Sequence, residues 1–274
     1  MTMFAADLHT HSTASDGQYT PTKLVTLAHR AGIKVMALTD HDNVDGVMEA
    51  VRTGERLGVR VLPGIEFSAR EFGTYHLLGY CFDPDHEAIT GLIRRMKERR
   101  ENRNPRIIAY LANLGMELTM EEVTAMSGGG VIARPHFARA LVRRGYVASN
   151  QEAFDRYLDT ADFKAKVDIG KPPILECIDT IHAAGGRASL AHPYQIGVDH
   201  ETLDALVGDL AAHGLDAIEG WYPRFTPQQH ELYLHLAEKY GIHVTGGSDF
   251  HGEKVRPDVW LTPWQLELDW LLEH

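Results

Sequence analysis

The sequence predicts an α/β fold, a seven-stranded β/α barrel interrupted by an inserted helical subdomain. Three features predict it. Strand and helix patterns alternate at both ends of the chain, which favours a parallel sheet, and seven strands in one unit of this size favour a barrel over an open sheet. Between residues 91 and 171 no strand pattern is evident, and the segment reads as several helices. Histidines and carboxylates recur where the predicted strands end, which is where a parallel barrel gathers its functional groups.

The elements follow in order. Phe4 to His9 reads as a strand. Thr20 is placed to cap the first helix, with Pro21 at its first position, Leu24, Leu27, Ala28 and Ala31 as its apolar residues and Gly32 as its stop. Val35 to Thr39 is a short apolar strand, and Asn43 is expected to cap a second helix that runs through Leu57 to Gly58. Strands follow at Val61 to Phe67 and Thr74 to Cys81. A long helix from about Ala88 to Leu114 comes next, and Pro105 is expected to break or kink it. Past residue 171, Pro172-Pro173 opens a helix closed by Gly185-Gly186. Then come strand Arg187 to Ala191, helix Thr202 to His213, strand Ala217 to Trp221, helix Thr226 to Tyr240 and strand His243 to Thr245. The barrel is therefore assigned to residues 1–90 and 172–274, and the helical insertion to 91–171.

Composition narrows the class. A chain of 274 residues, 44% hydrophobic and 24% charged, can bury a core large enough to fold without a disulfide or metal staple. No apolar run reaches the roughly 18 residues of a bilayer span. The start, MTMFAADLHTH, lacks the basic and apolar regions of an export signal, so a cytoplasmic location and no membrane partner are expected. Cys81 and Cys177 form no CxxC pair and are expected as small buried apolar residues. A net charge of -11 argues against a general nucleic-acid binder. That charge is uneven: residues 91–171 carry a net +5 and the remainder -16. An acidic body and a basic insertion suggest a metal-loaded scaffold facing a cap that receives an anion, although Arg94, Arg95, Lys97, Arg99, Arg100, Arg103 and Arg106 also suit a solvated helix face.

The 16 histidines are the compositional oddity, and their positions carry the chemistry. His9 and His11 stand two apart at the end of the first strand, so they point to one side if the strand continues. Asp16 follows in the next loop, the second strand ends in Thr39-Asp40-His41-Asp42, the third carries Glu66, and the fourth holds His76. The fifth ends in Ala191-His192-Pro193, and the seventh in Ser248-Asp249-Phe250-His251. Nine imidazole and carboxylate groups would thus meet at one mouth, too many for a single ion. Imidazole and carboxylate without thiolate suit zinc, manganese or iron.

The run Asp7-Leu8-His9-Thr10-His11, with Ser15-Asp16-Gly17, Leu38-Thr39-Asp40-His41-Asp42, Gly64-Ile65-Glu66, His76, Ala191-His192-Pro193 and Ser248-Asp249-Phe250-His251, resembles the PHP (polymerase and histidinol phosphatase) family of the amidohydrolase superfamily. The resemblance implies a distorted seven-stranded β/α barrel holding two or three divalent ions, manganese first, with zinc or iron as alternatives. Carried over by position, it implies one ion on His9, His11, Glu66 and Asp249. A second would lie on Glu66, His76 and His192, and a third on Asp16, His41 and His251. The insertion, above all Ile132-Ala133-Arg134-Pro135-His136-Phe137-Ala138, looks like that of the nucleoside 3′,5′-bisphosphate phosphatases within the family. Pro135 in a first helical turn would put Arg134 at a helix start, where an anion is favoured.

The resemblance implies attack of a metal-bridging hydroxide on the 3′-phosphate of a nucleoside 3′,5′-bisphosphate such as pAp, with Asp249 in the reacting centre. Arg134 and His136 would hold non-bridging oxygens. Arg99, Arg103 and Lys164 are candidates for the second phosphate, and Tyr19, Tyr194 and Trp221 for stacking on a base. Exonucleolytic action on short RNA ends, histidinol phosphate hydrolysis, and a non-catalytic metal-binding accessory module stay open. No obligate protein partner is implied.

Overall fold

In the computed structural model, which describes residues 2–71, 75–127, 132, 134–167 and 171–273, with nothing said of the side chains of residues 100, 101 and 127, the chain divides into two units. One comprises residues 1–93 and 172–274, the other 94–171.

The first unit is built on strands β1 (Met3–Asp7), β2 (Val35–Leu38), β3 (Arg60–Ser68), β4 (His76–Tyr80), β5 (Arg187–Leu190), β6 (Ala217–Trp221), β7 (His243–Gly246) and β8 (Trp264–Glu267). They form one sheet ordered β7-β6-β5-β4-β3-β2-β1-β8. The sheet has eight strands where the sequence pattern predicts seven, and it is mixed where the pattern predicts a parallel one. Pairs β1–β2, β2–β3, β5–β6 and β6–β7 are parallel. β4 runs antiparallel to both β3 and β5, because the link from Ser68 to His76 is too short for the crossover a parallel pair requires. The added strand, β8, is four residues long and antiparallel to β1. Beyond the regular strands the barrel closes, with Leu8 N–H donating to Gly246 O at 3.0 Å, Asp249 N–H to His9 O at 2.8 Å and His11 N–H to Phe250 O at 3.0 Å.

Helix α1 (Pro21–Arg30) starts as expected, Thr20 accepting the N–H of Lys23, and buries Leu24, Val25 and Ala28. Helix α2 (Val47–Leu57) starts later than expected, at a Gly46 cap. Asn43 does not cap it; its side chain accepts Asp45 N–H and donates to Ala14 O, tying two loops together. Its C-terminus closes on left-handed Gly58 as predicted. Helix α3 (Glu87–Asn113) leads into the second unit and contains Pro105 within its span. Thr74, at the predicted start of the fourth strand, lies outside the described residues.

In the second unit, α4 (Met120–Ser127), α5 (Arg134–Arg143), α6 (Asn150–Ala153), a π-helical turn at 154–158 and α7 (Ala161–Lys166) follow α3, and no strand occurs among the described residues. Ile107, Leu111, Val123, Phe137, Leu141, Leu158 and Phe163 form its own buried core, at about 1.5–3 kcal/mol for each large side chain fully buried.

The first unit resumes with α8 (Ile174–Ala183), α9 (His200–His213), α10 (Pro227–Tyr240) and α11 (Asp269–Leu272). Asp199 caps α9, two residues before its predicted start, and Thr226 with Gln229 forms a capping box on α10. Cys177 is buried and Cys81 half-buried, both as free thiols. Among the described residues no helix is long and apolar enough to cross a membrane.

Candidate metal centre

His9 and His11 lie just past β1, on a segment that pairs with the chain just past β7, where Asp249 and His251 stand. Gly247 makes that approach possible: a Cβ on it would fall 2.2 Å from the Cβ of His9. His41 follows β2 and bridges to Glu66 on β3, and His192 follows β5. His76 is the first residue of β4, and because β4 is reversed, its start lies beside the carboxyl ends of its neighbours, pairing with Ser68. The nine residues predicted from sequence are thereby brought together.

Glu66 is the hub. Its Oε2 lies 3.2, 3.1 and 3.0 Å from ring nitrogens of His9, His11 and His41, and its Oε1 lies 2.8 Å from His76 Nδ1 and 2.9 Å from His192 Nε2. Asp249 Oδ1 lies 3.6 Å from His9, 3.3 Å from His11 and 3.3 Å from His251. Asp16 reaches His251 at 3.3 Å and has the most exposed side chain of the nine, at 57%. Among the described residues three groups have ligand atoms close enough to share an ion: His9, His11, Glu66 and Asp249, as expected; His41, Glu66 and His76, with His41 where the sequence reading has His192, which instead meets the Oε1 of Glu66 at 2.9 Å; and His11, Asp16, His41 and His251, where the sequence reading lacks His11.

The donor set fits metal. Nε2 of His9, both ring nitrogens of His11, Nδ1 of His41, Oε2 of Glu66 and Nε2 of His251 are buried without a hydrogen-bond partner. Buried polar atoms are rarely left so, and converging orphaned N and O donors are what divalent ions satisfy. Burial raises the Glu66 and Asp249 carboxyls, yet the surrounding histidines hold both well below the usual range, and therefore ionised. Burial pulls His41 down, but Glu66 and Asp16 push it up to about 9. These buried His, Asp and Glu clusters make a site for several ions.

Some supporting residues are given no role by the sequence reading. Glu219 on β6 is wholly buried, 3.1 Å from His9 Nδ1. Tyr222 donates to Asp249 at 2.8 Å, and Arg256 pairs with the same oxygen. Asp7, pushed up to about 6 by burial, accepts N–H groups of Ser248, Thr262 and His9. Asp40 accepts from Ser12 N–H and from the hydroxyls of Ser12 and Ser15, holding the loop that carries Asp16. A buried acid in an otherwise apolar strand, as in Ala217-Ile218-Glu219, was the available signal for Glu219.

Two of the aromatic candidates have neighbours around this centre. Tyr19 stacks on Phe250 and donates to Glu253, and Tyr194 packs against Tyr222. Trp221 instead packs against Trp264 and His230, beside the apolar barrel cluster. In the second unit Arg134 opens α5 and pairs with Asp159 at 2.9 Å; Lys164 reaches the same Asp159 oxygen at 3.3 Å. His136 is partly buried on α5, and Arg99 and Arg103, partly buried, lie one turn apart on α3.

A family model described as the PHP domain matches residues 7–167. The chain belongs to the PHP family. As a PHP protein with this donor set it is a metal-dependent phosphoesterase. It is 36% identical over 246 residues to a 5′-3′ exoribonuclease of Haemophilus influenzae, covering 89% of each chain. It is 32% identical over 249 residues to a 3′,5′-nucleoside bisphosphate phosphatase of Chromobacterium violaceum, covering 89% of this chain and 86% of that one. Among solved structures, an amidohydrolase from Chromobacterium violaceum with bound sulfate and no metal superposes with a TM-score of 0.73 and 29% identity, over 96% of this PHP chain and 91% of the other.

Proposed function

We propose that this PHP protein hydrolyses the 3′-phosphate of nucleoside 3′,5′-bisphosphates, pAp to AMP, and that manganese is its metal. The observation that carries the phosphoesterase reading is the overlap of the three clusters through Glu66, His11 and His41, which would set ions side by side around one phosphoryl group. Ions held there would supply an activated water at neutral pH and neutralise charge on the phosphoryl and leaving oxygens. His9, His11, Glu66 and Asp249 would hold one ion, Glu66, His76 and His192 a second, and Asp16, His41 and His251 a third.

The bisphosphate reading draws its support from the relative named for that substrate and from the net +5 of residues 91–171. Arg134 and His136 are the groups proposed to hold phosphoryl oxygens. Arg134 heads α5, where backbone N–H groups and the helix dipole favour an anion, and it shares Asp159 with Lys164. A substrate phosphate would replace Asp159 as the partner of Arg134. Tyr19 and Tyr194 are proposed to stack on the base, and Arg99, Arg103 and Lys164 to meet the second phosphate.

A second reading, removal of nucleotides from 5′ ends of short RNA, is favoured by the relative named as a 5′-3′ exoribonuclease. Phosphate release from pAp by the manganese-loaded protein, beside 5′-AMP, 3′-AMP, histidinol phosphate and an end-labelled oligoribonucleotide, separates these readings. Strong preference for pAp, abolished by chelation, is expected. Preference for histidinol phosphate or for the oligoribonucleotide would overturn the bisphosphate assignment.

A further inference from the structure

We infer that Glu219 is a positioning residue that orients two histidines of the metal centre at once, His9 of the cluster with His11, Glu66 and Asp249, and His192 on the other oxygen of Glu66. The inference rests on the reading of those clusters as metal sites and is independent of the substrate. Glu219 is wholly buried near the middle of β6, and among the described residues no lysine or arginine is paired with its carboxylate. Its two oxygens are committed separately. Oε1 lies 3.1 Å from Nδ1 of His9, and Oε2 accepts the backbone N–H of His192 at 2.7 Å.

The first contact decides which nitrogen of His9 is available. A carboxylate oxygen facing Nδ1 of His9 is an acceptor, so this geometry assigns the ring proton to Nδ1 and leaves the lone pair on Nε2. Nε2 is the atom 3.2 Å from Glu66 and 3.6 Å from Asp249, buried with no hydrogen-bond partner. The second contact acts on the backbone. His192 sits at φ 24° and ψ 65°, in the left-handed region that a non-glycine residue occupies only when its surroundings enforce it. Glu219 holds that N–H, and from this conformation His192 Nε2 comes within 2.9 Å of Glu66 and 3.3 Å of His76. A carboxylate–histidine–metal relay of this kind both orients the ring and raises its basicity.

The glutamine isostere separates this role from packing. Glu219→Gln keeps the shape but has one acceptor and one NH₂ group. Whichever way the amide turns, it meets either His9 Nδ1–H or His192 N–H with a donor. Metal titration of wild type and Glu219→Gln, monitored as stoichiometry and affinity, is the first test, with circular dichroism of the chelated forms as the control for folding. The expected result is a loss of affinity of about 10–100-fold in the variant, with the chelated fold unchanged. Failure of the wild type to take up metal would overturn the metal reading itself; wild-type affinity in a folded variant would overturn only the role of Glu219. A second measurement needs no variant. In zinc-loaded wild type with ¹⁵N-labelled histidine, His9 is expected to be protonated at Nδ1 and coordinated through Nε2. Coordination through Nδ1 would overturn the inference even if Glu219→Gln fails to fold.

Discussion

The hydroxyl of Tyr222 donates to Oδ2 of Asp249 at 2.8 Å, and that bond turns the other oxygen of the carboxylate toward the histidines. Oδ1 alone then faces His9, His11 and His251. Burial, with Asp249 and Glu219 nearby, pushes the Tyr222 phenol far above its usual range, so it stays a donor. Tyr222→Phe keeps the ring packed against Tyr194 and Phe225 but leaves Oδ2 to Arg256 alone. Metal affinity of the His9, His11, Glu66 and Asp249 group should fall about tenfold, with the fold intact. Competition against a chromogenic chelator reads this out, and an unchanged affinity would remove Tyr222 from the orientation of Asp249.

Glu66 is the carboxylate that two of the clusters share, and five histidines lie within 3.2 Å of its oxygens. Replacing it with glutamine removes the negative charge from the middle of both groups. Glu66→Gln is expected to lose bound metal from both and to lower phosphate release by at least about 10²–10³-fold, the scale of removing one electrostatic stabiliser of the transition state. Metal content per chain and turnover are measured on the same sample. Full metal content would mean that the histidines and Asp249 hold the ions without Glu66.

The close approach behind His9 is a steric matter and can be tested as one. Gly247→Ala places a methyl group 2.2 Å from the Cβ of His9 and 2.6 Å from its backbone nitrogen. It should destabilise the protein by about 1–3 kcal/mol or more and loosen metal binding. Gly91, in α3, has open space where its Cβ would point, so Gly91→Ala should stabilise by about 0.5–1 kcal/mol. Urea unfolding of the two variants would show opposite shifts, and a Gly247→Ala protein as stable as wild type would contradict the packing around His9.

The contrast between what was legible and what was not has a physical cause. Four of the nine clustered residues fall in two short runs, His9-Thr10-His11 and Ser248-Asp249-Phe250-His251, and a strand end carries such a run to the barrel mouth whatever its neighbours are; His41, Glu66 and His192 stand singly at or near strand ends. Glu219, Tyr222 and Arg256 matter because strand pairing and the loop after β7 bring them to His9 and Asp249, a relationship that no local spacing encodes. The reversal of β4 was encoded, in the short link after Phe67, but a strand count alone overlooks it. β8 is four residues long, too short for alternation to stand out. Asn43 is a preferred cap by type, yet Ala14 O draws its amide away, and Gly46 takes the cap instead.

Arg134 is the proposed phosphate ligand of the second unit. Its pair with Asp159 is part-exposed on both sides, 32% and 50%, and such a pair is worth about 0–1 kcal/mol. Arg134→Ala should therefore leave stability and metal content near wild type. If Arg134 holds a phosphoryl oxygen in the transition state, phosphate release from pAp falls by about 10²–10³-fold. Unchanged turnover would take Arg134 out of the mechanism and leave the metal centre as it stands.

His243, at the start of β7, supplies a pH dependence separate from the clustered ligands that follow the other end of that strand. It stacks on Trp270 with ring centroids 4.2 Å apart and planes within 1°. Burial lowers its pKa below 6.5 and Arg187 adds to that, outweighing the upward pull of Glu267 and Asp216. The unfolded chain therefore binds the proton more readily than the folded one, so stability rises with pH across this window. The contribution of His243 is present in full above 6.5 and is lost as pH falls toward its lower folded value. In chelated samples the thermal midpoint of His243→Gln should drop less than that of wild type between about pH 8 and about pH 5, the window in which histidine titrates. Parallel curves would mean that His243 titrates as it does in the unfolded chain and that the stack with Trp270 does not discriminate against its charge.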